Sequence, residues 1–171
     1  MKIIIAVSGS NKGDKNLTPE VLADTETVGR LIAQRGAILL CGGMGGVMEA
    51  AAKGARSAGG TTVGILPRGK EDANPYIDVP LATHLGYFRN SLIVYAADAV
   101  IGICGRWGTI NEVSLAITLD KPTVLLTSGG GFAGLAREAG FSTVLSRMPR
   151  FAATPEEAVE YVFSALRLIP S

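Results

Sequence analysis

The chain has 171 residues, 47% hydrophobic and 18% charged, with 16 Lys and Arg against 15 Asp and Glu for a net charge of +1. That is ample apolar material for one core of ordinary domain size, but too little clustered positive charge for a nucleic-acid backbone to be the main partner. Two cysteines without CxxC spacing and a single histidine exclude a disulfide framework and a structural zinc site.

In chain order, Lys2–Val7 reads as a first strand, continuously apolar as expected for a strand covered on both faces. Gly9, Ser10, Asn11 and Gly13 mark a loop. Thr18 and Pro19 then supply an N-cap and a first helical position, opening a helix that runs to about Arg35 and stops at Gly36. Ala37–Cys41 is a second strand, Gly42–Gly46 a loop, Val47–Ala58 an alanine-rich helix and Thr61–Leu66 a third strand. A polar connection, Arg68–Tyr76, leads to a shorter strand at Ile77–Ala82. Helix Tyr87–Ala97, strand Ala99–Cys104, helix Thr109–Leu119 and strand Thr123–Thr127 follow. Ser128–Gly131 is another glycine loop before a short helix near Phe132–Ala139, and Thr143–Leu145 reads as a last strand. Thr154-Pro155-Glu156-Glu157 is a capping box that starts the final helix. Strands alternating with helices imply βαβ units, a mainly parallel sheet and helices on both faces. The expectation is one α/β domain across residues 1–171. No apolar run approaches the length of a membrane span, and Ile3–Val7 is too short for a signal segment, so a soluble, cytoplasmic protein with no membrane partner is expected.

In open α/β sheets, ligands bind outside the carboxyl ends of the strands, where the strand order reverses. Three predicted strands end there in glycine: at Gly9-Ser10, at Gly42-Gly43-Met44-Gly45-Gly46, and at Gly105-Arg106-Trp107-Gly108-Thr109. A glycine loop running into a helix turns backbone N–H groups and the positive end of the helix dipole towards an anion. The missing side chains let a phosphate approach the main chain. Any one loop is equally an ordinary tight turn; three on one sheet edge point to a small phosphorylated ligand. The run Gly42–Gly46 is not the dinucleotide fingerprint, and no Gly-Lys-Ser/Thr follows it to make a Walker loop. Both facts disfavour NAD and ATPase readings.

Gly42-Gly43-Met44-Gly45-Gly46-Val47-Met48, then Arg89, then Gly105-Arg106-Trp107-Gly108-Thr109-Ile110-Asn111-Glu112 resemble the motif series of the LOG family. Its members, often labelled lysine decarboxylase-like, include cytokinin riboside monophosphate phosphoribohydrolases. Ala73-Asn74-Pro75-Tyr76, Arg89-Asn90 and Ala97-Asp98-Ala99-Val100 resemble the molybdenum cofactor carrier branch of the same superfamily. The resemblance covers roughly Lys2 to Leu126 and implies a Rossmann-like three-layer sandwich. It implies a phosphate cradle at Gly42–Gly46 and at Gly105, Gly108 and Thr109; Gly9 and Ser10 join the candidate ligand-binding set from the first glycine loop, and Arg106 joins it by position, either adding a phosphate contact or blocking the expected pose. The resemblance also implies a working pair, Arg89 and Glu112, beside the N-glycosidic bond of a nucleoside 5′-monophosphate. A carboxylate there stabilises positive charge on the sugar or orients the attacking water, and the planar fork of an arginine fixes that carboxylate or a ligand oxygen. Such hydrolysis requires no cofactor, and lysine decarboxylation is not expected. The alternative is a non-catalytic carrier with molybdenum cofactor as its ligand. A homo-oligomer, dimer or tetramer, is expected, because helices equivalent to Tyr87–Ala97 and Thr109–Leu119 form a dimer interface in the family.

The hydrolase motif reads Pro-Gly-Gly-x-Gly-Thr-x-x-Glu. Here Cys104 replaces its proline, Arg106 replaces its second glycine, and Asn90 replaces the lysine that follows the arginine. These departures leave hydrolase and carrier both open. Plainer readings stand beside the functional ones. Thr109 and Glu112 satisfy a Thr-x-x-Glu capping box, and Arg89 near a helix start reads as an exposed surface arginine. Cys41 and Cys104 read as small buried residues, with Cys104 the better candidate for a ligand contact. His84 reads as a loop residue, and Trp107 either as a wall for a flat ring or as a cover for the helix start.

Overall fold

The computed structural model of the chain describes residues 1–138 and 147–168. Strands β1 (Ile4–Gly9), β2 (Ile38–Cys41), β3 (Thr62–Leu66), β4 (Val79–Ala82), β5 (Ala99–Ile103), β6 (Thr123–Leu126) and β7 (Arg150–Ala152) form one seven-stranded sheet. Their order is β4-β3-β2-β1-β5-β6-β7, and every pairing is parallel. The helices are α1 (Pro19–Gln34), α2 (Val47–Ser57), α3 (Arg89–Ala96), α4 (Trp107–Thr118), α5 (Gly131–Glu138) and α6 (Pro155–Arg167). This is the expected Rossmann-like α/β fold. Among the described residues, no helix is long and apolar enough to cross a membrane.

The two-residue period of a strand sorts its side chains between the faces. In β1, Ile5 and Val7 join a core with Val28, Ile32, Ala51, Ala55, Val159 and Val162, which puts α1, α2 and α6 on one side. Ala6 joins Val100, Ile93, Val94 and Ala116 on the other, beneath α3 and α4. Burying both faces is what makes these strands read as unbroken apolar runs. Gly29 and Gly54 let α1 and α2 touch backbone to backbone. A Cβ on Gly54 would overlap the carbonyl of Glu26, and one on Gly29 the carbonyl of Ala51.

Two predicted helix starts are found as expected. The Thr18 hydroxyl accepts from Val21 N at 3.2 Å and that of Thr154 from Glu157 N at 3.2 Å. The Glu157 carboxylate returns to Ala153 N at 2.8 Å rather than to the cap residue itself. Other boundaries are corrected. β1 runs on to Gly9, because Ser8 and Gly9 continue the pairing with β5. β4 begins at Val79, and the polar connection before it holds a 3-10 turn at Lys70–Asp72. Tyr87 and Phe88 belong to a 3-10 turn, Gly86–Phe88, so α3 begins only at Arg89. α4 begins two residues earlier than expected, with Arg106 in the N-cap position. Thr109 and Glu112 are therefore inside the helix, and their capping-box reading fails. β7 at Arg150–Ala152 escaped the sequence reading, and the strand expected at Thr143–Leu145 lies outside the described residues.

Candidate ligand-binding cleft

β1 has β2 on one side and β5 on the other; the chain leaves β1 towards β2 and crosses back from β4 to β5, so the strand order reverses beside the carboxyl end of β1. A cleft of about 300 Å³ opens there. Its floor is the end of β1 with Glu112 of α4. Its walls are the loop Ser10–Asp14, Gly42, Met44 and Met48, Tyr87 of the 3-10 turn, Arg89 and Asn90 at the start of α3, and Arg106, Gly108 and Thr109. Gly108 and Thr109 lie in the first turn of α4, where backbone amides have no intrahelical acceptor.

Glu112 owes its place to helical spacing. Thr109, Glu112, Val113 and Ala116 form the buried stripe of α4, so a carboxylate occupies a position that an apolar residue would ordinarily fill. Strand alternation places Ser8 two residues after Ala6, on the face that meets α4, and its hydroxyl donates to Glu112 Oε2. Burial pushes the Glu112 carboxyl up to about 7, against the lowering effects of the Ser8 hydrogen bond and the Arg89 charge.

Arg89 is only 5% exposed, so its reading as a surface residue is overturned. Nε donates to Ile65 O at 2.7 Å, and longer contacts of 3.4 to 3.5 Å run from the Nη groups to Gly86 O, Asn90 Oδ1 and Gly42 O. A Cβ at position 42 would stand 2.8 Å from both Nη2 and Met48 Sδ, so any side chain there would displace one or both. Burial lowers the Arg89 pKa, with the Glu112 charge opposing that. The pair shares the cleft and its field, but the fork of Arg89 is spent on the framework rather than on Glu112.

Asn74 holds the second glycine loop from behind. Its Nδ2 donates to Gly43 O at 3.0 Å and Met44 O at 2.8 Å, while its backbone N also reaches Gly43 O at 2.8 Å. On the opposite wall, Ser10 Oγ accepts from Gly105 N at 2.9 Å and donates to Asp14 Oδ2 at 2.8 Å. Arg106 Nε donates to the same Oδ2 at 2.8 Å. Burial works against the Asp14 charge, but hydrogen bonds from Asn16 and Ser10 and the Arg106 guanidinium hold its carboxyl at about 2. Asp14 is thus ionised at any physiological pH.

Of the residues expected to bind ligand, Gly9, Ser10, Gly42, Met44, Arg106, Gly108 and Thr109 line the cleft together with Arg89 and Glu112. Gly43, Gly45, Gly46 and Gly105 do not line it: Gly43 O is tied to Asn74, the Gly105 amide to Ser10, and Gly45 and Gly46 are partly exposed elsewhere. Cys104 does not line it. Its φ of 54° turns the thiol away, with Sγ 3.7 Å from Asn16 O, and burial raises its pKa to about 11, Asp14 adding to the effect. Cys41 is likewise buried and pushed up to about 12. His84 is an exposed loop residue. The aromatic residue in the cleft wall is Tyr87, whereas Trp107 is 83% exposed outside it.

A profile of the SLOG cluster4 family matches residues 2–159. The chain belongs to that family. This SLOG cluster4 protein is 36% identical to the molybdenum cofactor binding protein of Rippkaea orientalis, over 97% of its own length and 98% of that chain, with a TM-score of 0.85. It is 33% identical to the molybdenum cofactor carrier protein of Chlamydomonas reinhardtii, over 97% and 99% of the two chains, with a TM-score of 0.82. A cytokinin riboside 5′-monophosphate phosphoribohydrolase of Mycobacterium tuberculosis is 36% identical over 127 residues, 68% of this chain and 67% of the relative. The LOG-like resemblance read from the motifs therefore holds, and it extends on both sides to the branches those motifs suggested.

Ser8 and Asp14 in the SLOG cluster4 cleft escaped the sequence reading. Ser8 left one trace, a hydroxyl ending an apolar strand, but its partner is 104 residues away. Asp14 left none, being one acidic residue in a polar loop.

Proposed function

We propose that this protein holds a flat heterocycle bearing a terminal phosphate, and that its cargo is molybdenum cofactor, a pterin monophosphate. The observation that carries this reading is the backbone at Cys104. Its φ of 54° is closed to proline, which locks φ near −65°. The loop that meets the ligand thus follows a path that the proline of the hydrolase motif cannot take. On that path the Gly105 amide is consumed by Ser10, and Arg106 stands at the wall in place of glycine. The residues present suit such a cargo: first-turn amides of α4 and Arg106 for the phosphate, and Tyr87, Met44 and Met48 for a flat ring. Likeness over nearly the whole chain to proteins described as molybdenum cofactor binding and carrier proteins supports the same reading. Its test is anaerobic gel filtration of the protein with molybdenum cofactor, followed by metal analysis, beside an assay for adenine release from AMP. Co-elution of about one molybdenum per chain without adenine release is the expected result.

One observation favours a second reading, N-glycosidic hydrolysis of a nucleoside 5′-monophosphate. Glu112 is a buried cleft carboxyl whose pKa near 7 suits proton transfer at neutral pH. Adenine release from AMP that disappears in Glu112→Gln would put this reading first.

A further inference from the structure

Arg106 is 67% exposed at the cleft wall, yet it is not a loose surface side chain. Asp14 grips it through Nε, and among the described residues neither Nη group has a protein partner. Asp14 itself is fully used. Its Oδ1 accepts from Asn16 N and Nδ2, both at 3.0 Å, and its Oδ2 from Ser10 and Arg106. The carboxylate has no accepting capacity left for a ligand, and it bears the same sign as a phosphate. What remains for it is to brace the guanidinium, with Ser10 joining that brace to the Gly105 amide.

We propose that Arg106 is the specificity-determining residue of the cleft: braced by Asp14, it selects ligands with a terminal phosphate monoester through its free Nη1–Nη2 edge. That edge carries parallel donors whose spacing matches two oxygens of one phosphate. The inference rests on the reading that the cleft takes a phosphorylated heterocycle, and it names the group that selects for the phosphate. Backbone amides alone serve any small anion or carbonyl oxygen. A guanidinium distinguishes a dianion from a neutral hydroxyl by its charge. An unbraced arginine would surrender rotamer freedom on binding; the contact with Asp14 lowers that cost in advance.

The test uses ligand pairs that differ only by the phosphate: molybdopterin before and after phosphatase treatment, and AMP with adenosine. Each is titrated against the full chain and its Arg106→Ala, Arg106→Lys and Asp14→Asn variants, with thermal melts to check folding. Wild type is expected to prefer the phosphorylated member by about 100-fold. Arg106→Ala should weaken that member by roughly 10- to 100-fold and leave the other within about twofold. Arg106→Lys should recover part of the loss, and Asp14→Asn should show an intermediate loss confined to the phosphorylated member. Equal losses for both members in Arg106→Ala, or an unchanged preference, would overturn the proposal. A preference within the AMP pair alone, erased in Arg106→Ala, would sink the molybdenum cofactor reading while upholding the role of Arg106. Binding without preference in either pair would overturn the role of Arg106 and leave the cargo reading standing, whereas no binding of any of the four ligands would overturn both.

Discussion

Glu112 couples the chemistry of the cleft to the stability of the fold. Its pKa rises from an ordinary 4.5 to about 7 in the folded chain, so between those values the folded state binds more protons than the unfolded one. Stability should therefore fall as pH rises from about 4.5 to 7 and level off above, with a penalty of up to about 3 kcal/mol. Glu112→Gln keeps an acceptor for Ser8 but cannot ionise. It is expected to melt like wild type near pH 4.5 and several degrees higher at pH 8, which thermal unfolding at the two pH values would check. Cys104 is the other residue whose local state matters. At this position it is the backbone, not the thiol, that departs from the hydrolase motif. Cys104→Pro, which supplies the motif's residue, should destabilise the chain by about 3 kcal/mol or more, since proline cannot reach the required φ. Urea unfolding would measure it.

At the scale of elements, the cleft is an assembly of loops tied from behind. Asn74, on the connection between β3 and β4, clasps the loop after β2. Ser10, on the loop after β1, clasps the loop before α4. Asn74→Ala should cost about 1 to 3 kcal/mol by leaving Met44 O without its partner. Asn74→Asp should cost more, because it aims a charge at two carbonyl oxygens while sparing the bond from Tyr76 N. Chemical denaturation of the two variants would verify the order; Asp better tolerated than Ala would contradict it. The helices and most strands were legible because their signals are local: Thr18 and Thr154 cap within three residues, and unbroken apolar runs mark covered strands. The start of α4 was misplaced because Thr109 and Glu112 have the spacing of a cap while serving the buried stripe. Spacing alone cannot tell those roles apart. β7 was missed because Arg150-Phe151-Ala152 is too short and too polar to stand out, and β6 beside it is what makes it a strand.

For the molecule as a whole, several of the exposed large apolar side chains among the described residues group along α3 and beside it. Tyr87, Phe88, Leu92 and Tyr95 lie on α3 and the turn before it, and Trp107 starts the neighbouring α4. Patches of this kind mark contact surfaces. The chain is expected to form a homo-oligomer through α3, and Leu92→Asp with Tyr95→Asp to shift it to monomer in sedimentation velocity; an unchanged wild-type monomer would contradict this. By itself the sequence determined that the protein is a parallel α/β fold with glycine loops at one sheet edge, and it carried the motif order of its family. These follow from periodicity, capping and steric rules that act over a few residues. Only the tertiary structure decided which of those glycines face a ligand, that Arg89 is buried and bound to carbonyls, and that Ser8 raises its hydroxyl to Glu112. Only there does Asp14 meet Arg106. Apart from Gly86, near Arg89 in the chain, the partners in those contacts lie 24 to 104 residues apart, and they meet because the sheet brings the ends of β1, β2, β3 and β5 to a single edge.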